Sequence, residues 1–116
     1  MSRQARQRSA TEVYHVIQRG IDRMAIFYDD DDRQMFLNLL SQQVSESFKV
    51  YCYCLMDNHF HLIVKSNKLS FHIHHIASVY AGWFNHKHER RGYLFQDRFK
   101  SEALSLIHIS EPTRRS

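Results

Sequence analysis

Two apolar stretches lie only two residues apart: VYCYCLM at Val50–Met56 and HFHLIVK at His59–Lys65, separated by Asp57-Asn58. Asp and Asn bond to their own backbone and tolerate turn conformations, so the pair reads as two strands of a tight antiparallel hairpin. VYCYCLM is apolar at every position and is expected at the centre of a sheet, covered on both faces. A hairpin alone is marginal in water, so the rest of the chain must supply further strands and an apolar layer to cover it.

The flanking segments do so in a regular order. Val13–Arg19 holds Val13, Tyr14, Val16 and Ile17 and stops at Gly20, which predicts a first strand. Met35, Phe36, Leu39, Leu40 and Val44 recur at spacings of three and four, predicting a helix from about Asp31 to Ser47. The run Asp29–Asp32 places carboxylates where the positive helix end favours them. After the hairpin, Ser66–Ser70 is a polar link with Ser70 as a candidate N-cap. A second helix then runs to about Lys87, with Ile73, Ile76, Ala77, Tyr80, Trp83 and Phe84 on one face. The segment from Tyr93 to Leu106 supplies a fourth strand. The order strand, helix, strand, strand, helix, strand is the α+β, ferredoxin-like βαββαβ pattern with an antiparallel sheet.

Residues 1–10 are basic and aperiodic and read as an arm, leaving residues 11–105 as one domain. A hydrophobic fraction of 43% with three Gly and one Pro excludes a disordered or low-complexity chain. No apolar run approaches the roughly 20 residues needed to span a bilayer, and no membrane association is expected. The start, MSRQARQRSATE, has no apolar stretch behind it and is not a secretory signal. Cys52 and Cys54 are expected to be reduced core residues, joined neither by a disulfide nor by a shared metal, and a cytoplasmic location follows. The formal charge is +4, with nine histidines beyond it. Arg3, Arg6, Arg8, Arg90, Arg91, Arg98 and Lys100 are segregated from the acidic run Asp29–Asp32, which points to a polyanionic partner and first to nucleic acid.

Within the third strand, His59 and His61 are two residues apart, so both imidazoles project from one face while Phe60 points to the other. Such a pair is either half of a divalent metal site or two half-exposed surface histidines. Phe60, Leu62 and Val64 would bury the opposite face and fix the strand. Tyr80 also has two readings. In the middle of an apolar helical stripe it is a core residue; were that stripe to cover the histidine face, its phenol would meet the metal and could act as a nucleophile.

Three separated stretches, YHVIQRGIDRMAIF, YCLMDNHFHLIVK and YAGWFNHKHERRGYLFQDRFKSE, closely resemble in order and spacing the single-tyrosine HUH transposases. The likeness is greatest to the REP-associated tyrosine transposase branch and covers about Glu12 to Ala103. It implies that His59 and His61 bind Mg²⁺ or Mn²⁺ and that Tyr80 attacks a phosphate of single-stranded DNA. The product would be a 5′-phosphotyrosine link and a free 3′-OH, and reversal with another 3′-OH would rejoin strands. It also implies sequence-specific binding of small DNA hairpins. Related enzymes take a polar third ligand one helical turn after the tyrosine; that position is Phe84, so Asn85, one residue later, becomes the candidate. Arg3, Arg6, Arg8, Arg19, Arg23, Arg90, Arg91, Arg98 and Lys100 are the available phosphate contacts. His86 and His88 read as surface or phosphate contacts, and His72, His74 and His75 as DNA-facing or solvated.

The closing LSLIHISEPTRRS does not resemble the family's continuation, so residues 106–116 are expected to lie outside the family pattern and the last strand to be incomplete. Two other readings stay open: a non-catalytic DNA-hairpin-binding module, suggested by Phe84 at the ligand position, and a metal-dependent hydrolase using water. Either a monomer or a homodimer is compatible with the sequence.

Overall fold

A computed structural model of the chain describes residues 11–104. Within that span the elements are β1 (Val13–Arg19), a single 3-10 turn (Ile21–Arg23), α1 (Asp30–Gln43), β2 (Phe48–Met56), β3 (His59–Ser66), α2 (Leu69–Lys87) and β4 (Lys100–Ala103). The strands form one antiparallel sheet in the order β2-β3-β1-β4. Each helix thus crosses over one intervening strand: α1 joins β1 to β2 across β3, and α2 joins β3 to β4 across β1. This is the ferredoxin-like arrangement that the order of periodicities predicts.

Both helices lie on the same side of the sheet, because each has an apolar stripe and only one sheet face is apolar enough to receive it. Tyr14, Val16, Phe60, Leu62 and Val64 point into this layer and meet Phe36, Leu39 and Leu40 of α1 and Ile73, Ile76, Tyr80 and Phe84 of α2, all buried. The rings of Phe36 and Phe60 sit 4.7 Å apart, and Phe36 meets Tyr80 edge to face at 5.4 Å. Helix α1 begins where its acids imply: Asp29 caps it by accepting from the Asp32 backbone N–H at 2.9 Å. Helix α2 begins at Leu69, so Ser70 is inside it rather than at its cap. Ser66 closes the preceding turn instead, accepting from the Lys68 N–H and donating to the Ser47 carbonyl.

Three expectations are corrected. VYCYCLM forms an edge strand, with Tyr51 and Tyr53 both about half exposed. Aromatic and β-branched residues favour extended backbone at an edge as well as at a centre, so an apolar run does not locate its strand within the sheet. A bulge between Val50 and Cys52 leaves Tyr51 as the extra residue, an irregularity of the kind that protects edges. Cys52 and Cys54 are exposed, and the register sets them opposite Ile63 and His61, hence on one face and outside the core. The fourth strand covers only Lys100–Ala103, because the segment before it is an irregular loop running back along the end of β1.

That loop and the 3-10 turn fix the end of the hairpin. Gly20 donates to the Asn58 carbonyl at 2.9 Å, Ile26 donates to the Asp57 carbonyl at 2.8 Å, and Ile21 donates to the Leu94 carbonyl at 2.8 Å. A Cβ on Gly20 would collide with the Met24 carbonyl oxygen, which explains glycine at that close approach. Among the described residues no helix is long and apolar enough to cross a membrane.

Candidate metal and nucleic-acid site

The alternation of β3 divides its residues into two functional sets. Phe60, Leu62 and Val64 face the helices, whereas His59, His61, Ile63 and Lys65 face the other way. Directly paired residues share a face, so Arg19 opposite His59, Ile17 opposite His61 and Lys49 opposite Lys65 join the histidine face, as do Cys54 and Met56. On β4, Lys100 pairs with Ile17 and Glu102 with His15. This open face therefore carries a central histidine group flanked by Arg19, Lys49, Lys65 and Lys100.

The histidines are oriented by specific partners. The rings of His59 and His61 lie 4.9 Å apart, edge to face. The Asn58 side-chain nitrogen donates to the Arg23 carbonyl at 3.3 Å, which fixes its amide orientation and turns Oδ1 toward His59. Asn58 Oδ1 then accepts from His59 Nδ1 at 2.8 Å, so the proton of neutral His59 resides on Nδ1 and Nε2 keeps its lone pair. His61 Nδ1 meets Nε2 of His15 at 3.0 Å. Partial burial lowers the His61 pKa, helped by the neighbouring His15, His59 and Arg19, and so favours the neutral, ligating form of the ring. His15, on β1, is the residue that sequence reasoning missed. The signal was present: alternation puts it on the face opposite Val16, the same face as Ile17's partner His61.

Among the described residues, no three His, Cys, Asp or Glu side chains are grouped so that they could hold a metal ion. His59 and His61 form a two-nitrogen donor set, and His15 is engaged with His61 rather than turned to a common point. Beside His59, a shallow cleft of about 520 Å³ is lined by Arg23, Ala25, Leu55, Met56, Asp57 and Asn58. Arg23 enters it from a backbone with φ of 62°, a left-handed conformation unusual for arginine.

Tyr80 is not brought to the histidines. Its side chain is fully buried on the helix-covered face, and its hydroxyl donates to the Ile26 carbonyl at 2.5 Å. Burial, with Asp32 and Asp29 nearby, raises its pKa far above the ordinary phenol value, which opposes a phenolate there. The apolar stripe covers the Phe60 face, so the core reading of Tyr80 is the correct one. Asn85 is also remote from the pair: it lies on α2, donates to the Gly92 carbonyl at 2.9 Å and accepts from Arg90 at 2.6 Å. It braces the loop after α2 and is not a metal ligand.

The expected phosphate contacts divide similarly. Arg19 and Lys100 lie exposed on the histidine face, and Arg23 beside it. Arg91 and Arg98 are exposed in the loop between α2 and β4, whereas Arg90 is turned inward to Asn85 and the Tyr93 carbonyl. Arg3, Arg6 and Arg8, like the segment 106–116, lie outside the described residues. Lys49 and Lys65 are additions: Lys65 follows from the alternation of β3, whereas Lys49 is legible only once the β2–β3 register is known.

Two histidine expectations change as well. His72 is buried between α1, β2 and α2, bonded to Gln43 at 2.7 Å and to Ser47 at 3.0 Å. His88 is bonded to the fully buried Asp32 at 2.9 Å, and Lys87 reaches the same carboxylate at 2.8 Å, tying the end of α2 to the start of α1. His74, His75 and His86 are exposed.

Comparison with known proteins adds an independent line. The family model described as "Transposase IS200 like" matches residues 9–111. Among solved structures, the fold is similar to that of a REP-associated tyrosine transposase bound to a REP hairpin, with a TM-score of 0.62 and 15% identity over 90% of this chain. The aligned part is 62% of that protein, so this chain spans less than two thirds of its length. It is also similar to a candidate transposase from Deinococcus radiodurans R1, with a TM-score of 0.64 and 12% identity over 94% of this chain and 91% of the other. At these identities the structural likeness establishes the fold. No curated protein matches the sequence.

Proposed function

Because the chain belongs to the IS200-like transposase family, we propose that it acts in DNA transposition by binding single-stranded or hairpin DNA across the open face of its sheet and holding a divalent cation at His59 and His61. The observation that carries the reading is the separation of the two faces. One is sealed by α1 and α2; the other presents two oriented imidazoles among Arg19, Lys49, Lys65 and Lys100. Lysine and arginine on a flat sheet face suit a phosphate backbone, and Ile17, Ile63 and Met56 offer apolar surface to unpaired bases. Hairpin recognition is supported further by the REP-hairpin complex of the similar transposase.

Mg²⁺ or Mn²⁺ bound at this pair would supply Lewis-acid polarisation of the scissile phosphate. Two imidazole nitrogens suit a transition cation better than Mg²⁺, which makes Mn²⁺ the better match of the two. The chain's own residues hold the imidazoles in place: Asn58 keeps the His59 proton on Nδ1, and the Phe60, Leu62 and Val64 anchors prevent β3 from turning. Arg19, paired with His59, is placed to take a phosphate oxygen next to the histidines. The phosphotyrosine route needs a hydroxyl delivered to this face from outside the sheet and its two helices, since Tyr80 points into the core.

The test is incubation with a labelled single-stranded hairpin and Mn²⁺, read on a denaturing gel. A protein-linked product supports strand cleavage and joining through tyrosine, and free 5′-phosphate supports water as the nucleophile. Replacement of His59 or His61 by alanine is expected to abolish either product while leaving most of the DNA affinity. The second reading, a hairpin-binding module without chemistry, is favoured by the two-nitrogen donor set. Tight binding with no product in Mn²⁺ or Mg²⁺ would establish it and overturn the catalytic proposal.

A further inference from the structure

We propose that His15 is a positioning residue: through a Glu102–His15–His61 chain it keeps the proton of His61 on Nδ1, so that Nε2 is presented bare to the open face. The inference rests on the metal-site reading for its purpose, although the proton position stands by itself. Three adjacent strands supply the chain, β4 giving Glu102, β1 giving His15 and β3 giving His61. Register sets His15 directly opposite Glu102 and one pair removed from His61, which pairs with Ile17 on the same face.

The ring geometry makes the contact a directional hydrogen bond. His15 Nε2 and His61 Nδ1 are 3.0 Å apart, while the ring planes are within 3° of parallel and the centroids are 5.2 Å apart. With so short a nitrogen–nitrogen distance at that centroid separation, the rings meet edge to edge and the shared hydrogen lies close to both ring planes. One hydrogen occupies the gap, and its owner decides what His61 can do. If His61 owns it, Nε2 carries a lone pair and can ligate. If His15 owns it, neutral His61 is protonated at Nε2 and cannot.

Glu102, an exposed carboxylate beyond hydrogen-bond distance, biases the balance between these arrangements through space. Its Oε1 lies 3.9 Å from Nδ1 of His15. A carboxylate on that side favours the tautomer of His15 with its proton on Nδ1 and repels a lone pair there. His15 Nε2 is then an acceptor, and His61 must be the donor. The same logic operates at His59, where the Asn58 amide oxygen takes the Nδ1 proton. Both imidazoles are thereby set to the same tautomer by neighbours that act at Nδ1, as outer partners of ligating histidines characteristically do.

The test reads the tautomer directly in the metal-free protein. Long-range ¹H–¹⁵N correlation of the ¹⁵N-labelled chain at neutral pH is expected to give a pyrrole-type Nδ1 and a pyridine-type Nε2 for His61. In His15→Phe, which keeps a ring and removes the acceptor, His61 should shift toward the Nε2-protonated form. Mn²⁺ affinity, measured by paramagnetic broadening, should fall about tenfold or more. His15→Gln offers an amide oxygen and should restore the Nδ1-protonated form, a rescue that a merely space-filling role would not give. A wild-type His61 protonated on Nε2, or an unchanged tautomer in a folded His15→Phe, overturns the inference. The expected tautomer without any Mn²⁺ broadening supports it and overturns the metal reading instead.

Discussion

Replacing Tyr80 by phenylalanine separates a core tyrosine from a catalytic one. The ring is fully buried against Phe27, Phe36 and Phe84, and the phenylalanine keeps that packing. Only the hydroxyl is lost, and with it the bond to the Ile26 carbonyl. A net hydrogen bond contributes about 1 kcal/mol and an orphaned buried acceptor costs about 1–3 kcal/mol, so a loss near 2 kcal/mol is expected. For a domain of this size that is roughly 8–16 °C in Tm, or a urea midpoint lower by about 1 M. The variant should also differ at high pH. Burial, then Asp32 and Asp29, raises the folded-state pKa against an opposing influence of Arg33. A raised folded pKa means that the stabilisation is complete below pH 10.0, the unfolded phenol value, and is lost as pH rises beyond it. Wild-type stability should therefore fall above about pH 10 with a contribution of about 1.4 kcal/mol per pH unit that the phenylalanine variant lacks. Equilibrium urea unfolding between pH 7 and 11, with hairpin-cleavage assays on the folded fraction, measures both consequences. Unchanged stability together with abolished cleavage would refute the core assignment and return Tyr80 to the chemistry.

Single replacements of Arg19 and Lys65 by alanine should weaken hairpin binding and each reduce the slope of log K against log salt by about 0.7–0.9, as fluorescence anisotropy titrations between low and moderate salt would report; an unchanged slope in both would move the DNA off this face. Cys54 pairs with His61 on that face and is exposed, as is Cys52, so saturating single-stranded DNA should slow their alkylation by a maleimide, and equal rates with and without DNA would count against the same docking surface. His72 has its pKa lowered by burial first and then by Lys68 and His75, so the stability it contributes is complete above about pH 6.5 and is lost as pH falls below that value. Thermal melts from pH 7.5 to 5 should decline less steeply in His72→Gln, and parallel curves would place the acid sensitivity elsewhere.

What was legible in the sequence follows from which facts are local. Strand and helix periods are local, so β1, the Asp57-Asn58 turn and the extent of α2 could be read from residue types alone, and with them the order that specifies the fold. The common face of His59 and His61 is also local, since it needs only the two-residue repeat of β3. The location of a strand within the sheet is not local. Nothing in VYCYCLM distinguishes an edge that exposes Tyr51 and Tyr53 from a centre that buries them. Whether His72 is solvated or bonded to Gln43 and Ser47 depends on three elements meeting, and the inward turn of His88 to Asp32 depends on the end of α2 meeting the start of α1.

Tyr80 marks the sharper boundary, because its two readings differed only in which sheet face the helices cover. The alternation of β3 determines that choice. An apolar helix stripe can be buried only against apolar residues, and Phe60, Leu62 and Val64 alternate with His59, His61 and Lys65. A stripe carrying Ile73, Ile76, Tyr80 and Phe84 laid over the histidines would have buried Lys65 and two imidazoles without compensation, at a cost of several kcal/mol. The hydrophobic pattern that makes Tyr80 look well placed on its helix is therefore the same pattern that turns it away from the histidine pair. The two sets can meet only if one of them abandons its own periodicity, and neither does.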